Sequence, residues 1–405
     1  MSLHFARLEG KAGLPVMRRY LVDPRCPQRG SNKGIAHASS RMMHSKVEQK
    51  MKRCSKCVLP ECTPNIVFDE EGVCNYCKSY QKIQYKGESE LLKILDSHRR
   101  KQSKYDCIVN ISGGRDSAFT LLKLVKDYGM KTLAVNYENP FTDPQAITNI
   151  RNAVKALGVD IVRFKLKNKI HERTFRNNLN AWYQKSSPAL VPIICVGCKT
   201  IWWDILRIAK KNDIHCIVSG GNLFEDVSFK KVLLGTSANE DTKTTLIKDI
   251  FGILKETTRN LAYYKLQFIP SLMKGYLFGN PYTLGSRLYG FNVTRIDLFH
   301  YIEWNEQEVL SRIKSELDWD YPRKFNSPWR FDCRVGHLKD FMYMKTIGMT
   351  EKDDFYSRMV REGKTTREDA LQRLENENKL HLDEIELLLN EAGIKDMSLR
   401  STLES

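Results

Sequence analysis

The sequence predicts an α/β fold, a doubly wound parallel sheet with a small appendage at each end, and three observations carry that expectation. Between residues 105 and 218, short apolar runs alternate with amphipathic helical patterns. Two of those runs break off in Gly-Gly turns. A cysteine-rich segment precedes the alternation and a highly charged helical segment follows it. Apolar strands alternating with helices at this spacing call for parallel strands joined by right-handed crossovers.

Residues 1–50 are rich in Arg, Ser, Gly and Pro and lack apolar periodicity. A disordered extension, an organellar transit peptide and a start site placed too far upstream all fit; the reading adopted is a dispensable extension. Residues 51–85 form the cysteine-rich knuckle. Residues 88–100 read as an amphipathic helix with Leu91, Leu92, Ile94 and Leu95 as its stripe. Strands follow at 107–111, 132–136, 160–164 and 214–218. The expected helices are 117–128, 144–157, 170–183 and 199–211. From about residue 240 the alternation is expected to stop, with a helix at 305–316. The main α/β domain is therefore assigned to 86–330 and a helical C-terminal region to 331–405, helical above all over 366–392.

The chain has 405 residues, of which 41% are hydrophobic and 28% charged, the balance of a globular protein. No run approaches the roughly 18 apolar residues that cross a bilayer, so no membrane span is expected. Eleven cysteines without a secretory signal argue against a disulfide scaffold and for a reducing, cytoplasmic setting. The net charge of +17 invites a nucleic-acid reading, but residues 1–50 alone hold ten Lys/Arg against three Asp/Glu. The remainder is diffuse, which suits polyanionic small molecules and makes nucleic acid a lesser expectation.

The strongest local signal is Ser112-Gly113-Gly114-Arg115-Asp116-Ser117, which follows an apolar strand and opens a helix. Glycines admit a phosphate close to the backbone, and a helix N-terminus offers free N–H groups and the positive end of its dipole. Ser112 and Ser117 add hydroxyls. Asp116 would repel phosphate unless a cation bridged them, so it is assigned to Mg2+. The loop is neither Gly-x-x-x-x-Gly-Lys-Ser/Thr nor Gly-x-Gly-x-x-Gly. A second element, Ser219-Gly220-Gly221-Asn222 with Glu225 and Asp226 behind it, ends the fourth strand. In an open parallel sheet, ligands bind beyond the carboxyl ends of strands. Asn222 is thus a candidate adenylate contact, Glu225 or Asp226 a candidate Mg2+ aid, and Asn136 at the end of the second strand a candidate adenine contact. Taken alone, the second element reads better as an Asn/Gly turn with solvated acids; paired with the first loop it reads as functional.

Cys54-x-x-Cys57 and Cys74-x-x-Cys77, sixteen residues apart, have the spacing of a closed four-thiolate Zn2+ site. Cys62 lies between the pairs and is left outside it. A third pair, Cys195 and Cys198, precedes a helix and is either reactive, metal-binding with Cys333 in an iron–sulfur arrangement, or simply two half-buried thiols. Trp202, Trp203, Trp329 and Arg330 either line a sugar or uridine pocket or belong to the core.

The six-residue loop resembles that of the PP-loop ATP pyrophosphatases, an adenine nucleotide alpha hydrolase-like fold in which ATP is cleaved between its α and β phosphates. The chain more widely resembles the N-acetyl sugar amidotransferases of lipopolysaccharide O-antigen and pseudaminic-type sugar biosynthesis. That resemblance runs through Arg53-Cys54-x-x-Cys57, Phe68-Asp69-Glu70-Glu71-Gly72-Val73-Cys74-x-x-Cys77, the loop, Cys195-x-Gly197-Cys198, and Ser357-Arg358-x-x-Arg361-x-Gly363-Lys364-x-x-Arg367-Glu368-x-Ala370. It implies that ATP adenylates the acetamido oxygen of a nucleotide-linked sugar, with Asp116 and Ser117 at the reacting phosphates. Ammonia from a separate glutaminase subunit then displaces AMP. The runner-up is a tRNA sulfurtransferase of the same superfamily. A third reading is a zinc scaffold that binds nucleotide without catalysis.

Overall fold

A computed structural model describes residues 51–236 and 242–394; the expected extension at 1–50 and the last eleven residues lie outside them. Five parallel strands form the central sheet: β1 (Cys107–Asn110), β2 (Thr132–Tyr137), β3 (Ile161–Phe164), β4 (Cys216–Ser219) and β5 (Thr294–Asp297), in the order β3-β2-β1-β4-β5. Their residues are mostly β-branched or small and alternate between two faces. Cys107 and Val109 of β1 join one core cluster, while Ile108 between them joins another with Leu133, Val135 and Ile217. Burial on both faces is the condition under which parallel strands are stable.

The first face is covered by α1 (Glu88–Ser97), α2 (Arg115–Leu122), α3 (Pro144–Leu157) and, from far along the chain, α6 (Glu306–Leu317). The second is covered by α5 (Trp202–Lys211), which places Ile205, Leu206 and Ala209 on the sheet. Helix α4 (Ile170–Gln184) packs away from both faces, in a third cluster with the knuckle and the C-terminal helices. Local chemistry sets the helix ends. Asp143 caps α3 through Gln145 N, Pro144 takes its first turn, and Gly158 ends it at φ 61°. Asn305 caps α6 through the N–H groups of Gln307 and Glu308.

One sequence expectation needs correction. The alternation does not stop at residue 240, because β5 pairs with β4 from Cys216↔Thr294 to Ser219↔Asp297. It escapes a periodicity search because only Ile296 of its four residues is buried. The C-terminal region is helical, as expected. It comprises α7 (Val335–Ile347), α8 (Glu351–Arg361), α9 (Arg367–Glu377) and α10 (Leu382–Glu391), spread over two clusters. Phe355 and Tyr356 of α8 enter the sheet-face core, whereas α7 and α10 join the knuckle cluster. No helix among the described residues is long and apolar enough to cross a membrane.

A candidate nucleotide site beside two cysteine clusters

Strand order fixes where a ligand would go. Starting at β1, the chain winds to β2 and β3 on one side and to β4 and β5 on the other, so the switch point lies between β1 and β4. The crevice outside the carboxyl ends of strands at such a point is the usual ligand position. Both glycine turns stand there, Ser112–Ser117 after β1 and Gly220–Asn222 after β4.

Gly113 is at φ 86°, and a Cβ on it would lie 2.2 Å from the Ala146 carbonyl oxygen of α3. No other residue type fits. Its own carbonyl is fixed by two donors, Trp319 Nε1–H at 2.9 Å and Asn149 Nδ2–H at 3.2 Å. Ser112 Oγ and Ser117 Oγ are 3.3 Å apart, Ser112 Oγ accepts from Gly114 N at 3.3 Å, and Ser117 Oγ donates to the Gly114 carbonyl at 3.0 Å. The result is a pre-shaped turn, with hydroxyls and N–H groups gathered at the start of α2.

Asp116 sits at the centre of what the two turns share. Trp304 Nε1–H donates to its Oδ1 at 2.9 Å and Asn222 Nδ2–H reaches its Oδ2 at 3.4 Å. A Cβ on Gly220 would lie 2.7 Å from the Asp116 carbonyl oxygen, so the second turn packs directly on the first. Asn222 Oδ1 also caps the short turn behind it through Phe224 N. Burial pushes the Asp116 carboxyl up to about 6, against the pull of Arg115 and with Glu225 adding to the rise. A divalent cation there would offset that cost. A carboxylate carries about four acceptor sites, so its two protein donors leave room for one.

Other expected residues stand elsewhere. The Arg115 side chain turns into the core and meets the loop only at Asp116, whose Oδ1 lies 3.5 Å from its Nε. It is 3% exposed, bonds Glu306 at 2.5 Å and stacks over Trp304. Glu225 pairs with Arg330 at 3.0 Å and lies 3.8 Å from Arg115; Arg330 also pairs with Glu351. Asp226 is held by Lys231 at 2.8 Å. Asn136 is buried and donates to the Ile111 carbonyl at 2.8 Å, tying the end of β2 to the start of the loop. Beyond it a cavity of about 520 Å³ opens, with Tyr137 and Asn139 at its base, Ile147 and Ile150 as an apolar wall, and Arg151 and Arg163 as cations. Trp203 packs on Phe278 and Tyr289, and Trp329 is buried against Phe355.

Two residues that the sequence gave no reason to single out matter here. One is Trp304, described above. The other is Asp332: a Cβ on Gly114 would meet its Oδ2 at 3.1 Å. Burial raises the Asp332 carboxyl while a bond from Ser112 lowers it. No motif links either residue to the loop, and each is brought in from about 190 or more positions away.

The knuckle is a closed four-sulfur group. Cys54, Cys57, Cys74 and Cys77 are all buried and their Sγ atoms lie within 4.8 Å of one another, so they can hold one metal ion. Gly72, at φ 78°, makes the turn that returns the second pair. Cys57 N and Cys74 N donate to Cys54 Sγ at 3.4 and 3.2 Å. Arg361, 8% exposed, directs Nε at Cys77 Sγ (3.4 Å) and Nη2 at Cys57 Sγ (3.6 Å). A buried guanidinium needs an anion, and thiolates are what metal binding provides. Arg367 bonds the Cys54 and Cys57 carbonyls, and Ser357 Oγ accepts from Val58 N. Arg358, one residue on, bonds the Leu223 carbonyl at 2.6 Å behind the second nucleotide turn. Helix α8 thus braces the knuckle and the nucleotide crevice together.

The third cysteine pair lies at the same edge of the sheet as the loop. Cys195 and Cys198 Sγ are 3.6 Å apart, and His171 of α4 places Nε2 2.8 Å from Cys195 Sγ. Its Nδ1 is 2.7 Å from the hydroxyl of Tyr137, the last residue of β2. Cys333 follows Asp332 directly and accepts from Asn139 Nδ2 at 3.3 Å.

No family model matches this chain. An uncharacterized protein of Methanocaldococcus jannaschii is 24% identical over 213 residues, 49% of this chain and 73% of that protein. Among solved structures, this chain is similar to an NMN synthetase from Francisella tularensis, at 13% identity and TM-score 0.34 over 73% of this chain and 93% of that one. It is also similar to a U34-tRNA thiolase from Methanococcus maripaludis solved with its 4Fe–4S cluster, at 15% identity and TM-score 0.30 over 82% and 91%.

Proposed function

We propose that this protein is an ATP-dependent N-acetyl sugar amidotransferase that releases AMP and pyrophosphate. The observation that carries the ATP chemistry is the loop 112–117 at the switch point, with Asp116 bonded to the second glycine turn. Pyrophosphate would lie on the N–H groups of Gly114 to Asp116 and the hydroxyls of Ser112 and Ser117. Mg2+, when bound, neutralises phosphate charge that builds as the α–β bond breaks. In this chain Asp116 is positioned to hold it, and the Asp332 carboxylate lies against Gly114 of the loop. Asn222 both orients Asp116 and lines the crevice. The apolar wall and cations of the cavity beyond Asn136 suit a base and a phosphate.

The amidotransferase part of the reading rests on the chain's resemblance, and one structural point supports it. The C-terminal stretch 357–370 that carries part of this resemblance packs on another part of it, with Ser357, Arg361 and Arg367 bonded to the knuckle, while Arg358 bonds behind the second turn. In this reading the acetamido oxygen attacks the α phosphorus, pyrophosphate leaves, and ammonia then displaces AMP from the imidate carbon to give an amidine. A glutaminase subunit would supply the ammonia, and the knuckle would hold Zn2+ as a structural ion. The test is incubation with Mg2+, ATP, ammonium and a panel of nucleotide-linked N-acetyl sugars, followed by mass analysis. Stoichiometric AMP and replacement of one oxygen by NH are expected. ADP as the product overturns the loop assignment.

A second reading, tRNA thiolation, is favoured by one observation: the Cys195–Cys198 pair stands at the same edge as the loop, with Cys333 adjoining Asp332. In the same assay with tRNA and a sulfide donor, it predicts incorporation of sulfur into RNA and no amidine.

A further inference from the structure

We infer that His171, Cys195 and Cys198 bind a single Zn2+ ion, separate from the knuckle and with one coordination position open. The three donor atoms lie within 4.8 Å of one another, with His171 and Cys195 buried. Two thiolates and an imidazole are the borderline-soft donor set that zinc prefers.

Three features indicate a built site rather than a chance meeting of side chains. The first is Gly197, where a Cβ would lie 2.3 Å from the His171 ring, so the turn between the cysteines is glycine because the imidazole lies against it. The second is Tyr137, whose hydroxyl engages Nδ1 of His171 at 2.7 Å and so leaves Nε2, the nitrogen nearest the sulfurs, to act as the donor. Metal-bound histidines almost always have such a partner on the other ring nitrogen. The third is the edge-on ring of Phe141, 5.1 Å from His171, which helps fix the imidazole orientation.

Among the described residues the close donor group ends at three, unlike the four of the knuckle. Three protein ligands with a fourth position for a small exogenous donor is the pattern of reactive zinc sites, and four is that of structural ones. Cys333 is not within the same radius, so it is assigned no ligand role. The site's links to the nucleotide crevice are short: Tyr137 follows Asn136, which bonds the start of the loop, and Cys333 follows Asp332, which borders it. An open metal position here could hold the small nucleophile of a second reaction step. The ligand assignment stands without the adenylation reading, since it needs no turnover.

The test is a metal count on the full chain, purified anaerobically after expression with zinc supplied. The Cys195→Ser/Cys198→Ser variant should hold one equivalent of zinc fewer per chain than wild type. Tyr137→Phe keeps the ring and removes only the hydroxyl. It should retain the fold by circular dichroism and weaken zinc at this site by about 10- to 100-fold in chelator competition. Cobalt substituted for zinc should show thiolate charge-transfer absorption that falls in the double variant and changes in His171→Ala. Equal zinc in wild type and the double variant overturns the assignment. So does a Cys195–Cys198 disulfide in the anaerobic protein, or iron with acid-labile sulfide that depends on Cys333.

Discussion

The knuckle and the third cysteine pair start from the same Cys-x-x-Cys spacing and end in different surroundings. The knuckle draws all four sulfurs from residues 54–77, closes them against a buried arginine, and is tied to the crevice at the switch point through α8. The third pair takes its nearest partner from α4, twenty-four positions earlier, and lies at the strand ends where the loop lies. Spacing alone therefore says little about role. What separates them is whether the coordination shell is filled by the motif itself or completed by the fold around it.

The sharpest way to break this contrast is Cys74→Ser. Apparent metal binding in small thiolate sites is about 10–16 kcal/mol, comparable with or above the whole stability of a domain of about 5–15 kcal/mol. Little folded, soluble protein is expected, and a melting temperature equal to that of wild type would show that the knuckle needs no metal. Asp116→Ala should act on chemistry instead. The rate of AMP release should fall by a factor on the order of 10² or more, while the melting temperature changes little. Loss of folding in this variant would make the residue structural.

The pH dependence of Asp116 is a third test. Its pKa is raised, so the ligand-free protein is most stable on this account below the ordinary carboxylate range and loses stability as pH rises through about 6. The loss amounts to about 3 kcal/mol by the usual conversion. Denaturant melts in EDTA should show it between pH 4 and 7, and Asp116→Asn should flatten that segment. An identical slope in the variant assigns the titration elsewhere. Arg361→Gln removes the buried cation beside two sulfurs and should cost about 2 kcal/mol, with a faster loss of metal to chelator. The smallest expected effect is on the fold of Cys195→Ser/Cys198→Ser, about 1 kcal/mol, because α4, β2 and α5 are packed by their own apolar contacts. A collapse as complete as that of Cys74→Ser would erase the contrast between the two clusters.

Four of the five strands, their connecting helices and both glycine turns were legible in the sequence, because each is a local pattern: an apolar run, a cap, a Gly-Gly break. The helix at 144–157 is placed to the residue because Asp143, Pro144 and Gly158 mark both ends. Strand β5 was not legible, since Thr294, Arg295 and Asp297 look like any exposed loop until β4 supplies a partner. At the site the same limit applies. The loop announces itself, but Trp304 and Asp332 reach it, and His171 reaches the third cysteine pair, by tertiary packing that leaves no trace in spacing. Arg115 shows the converse. It falls inside the strongest motif, yet besides its neighbour Asp116 its charge is shared with Glu306, far along the chain, which no string of letters would indicate.

The carbonyl of Gly113, gripped by Trp319 and Asn149, has a consequence for affinity. Each peptide plane of a loop has two orientations that differ in which way the N–H points. Holding the 113 carbonyl from behind selects one of them before any ligand arrives, so the conformational entropy of ordering the turn is spent during folding and not during binding. Most of the contact energy then goes into affinity, and association needs no wait for the turn to rearrange. If the loop takes up phosphate as proposed, either anchoring side chain would thereby set how fast and how tightly it is bound.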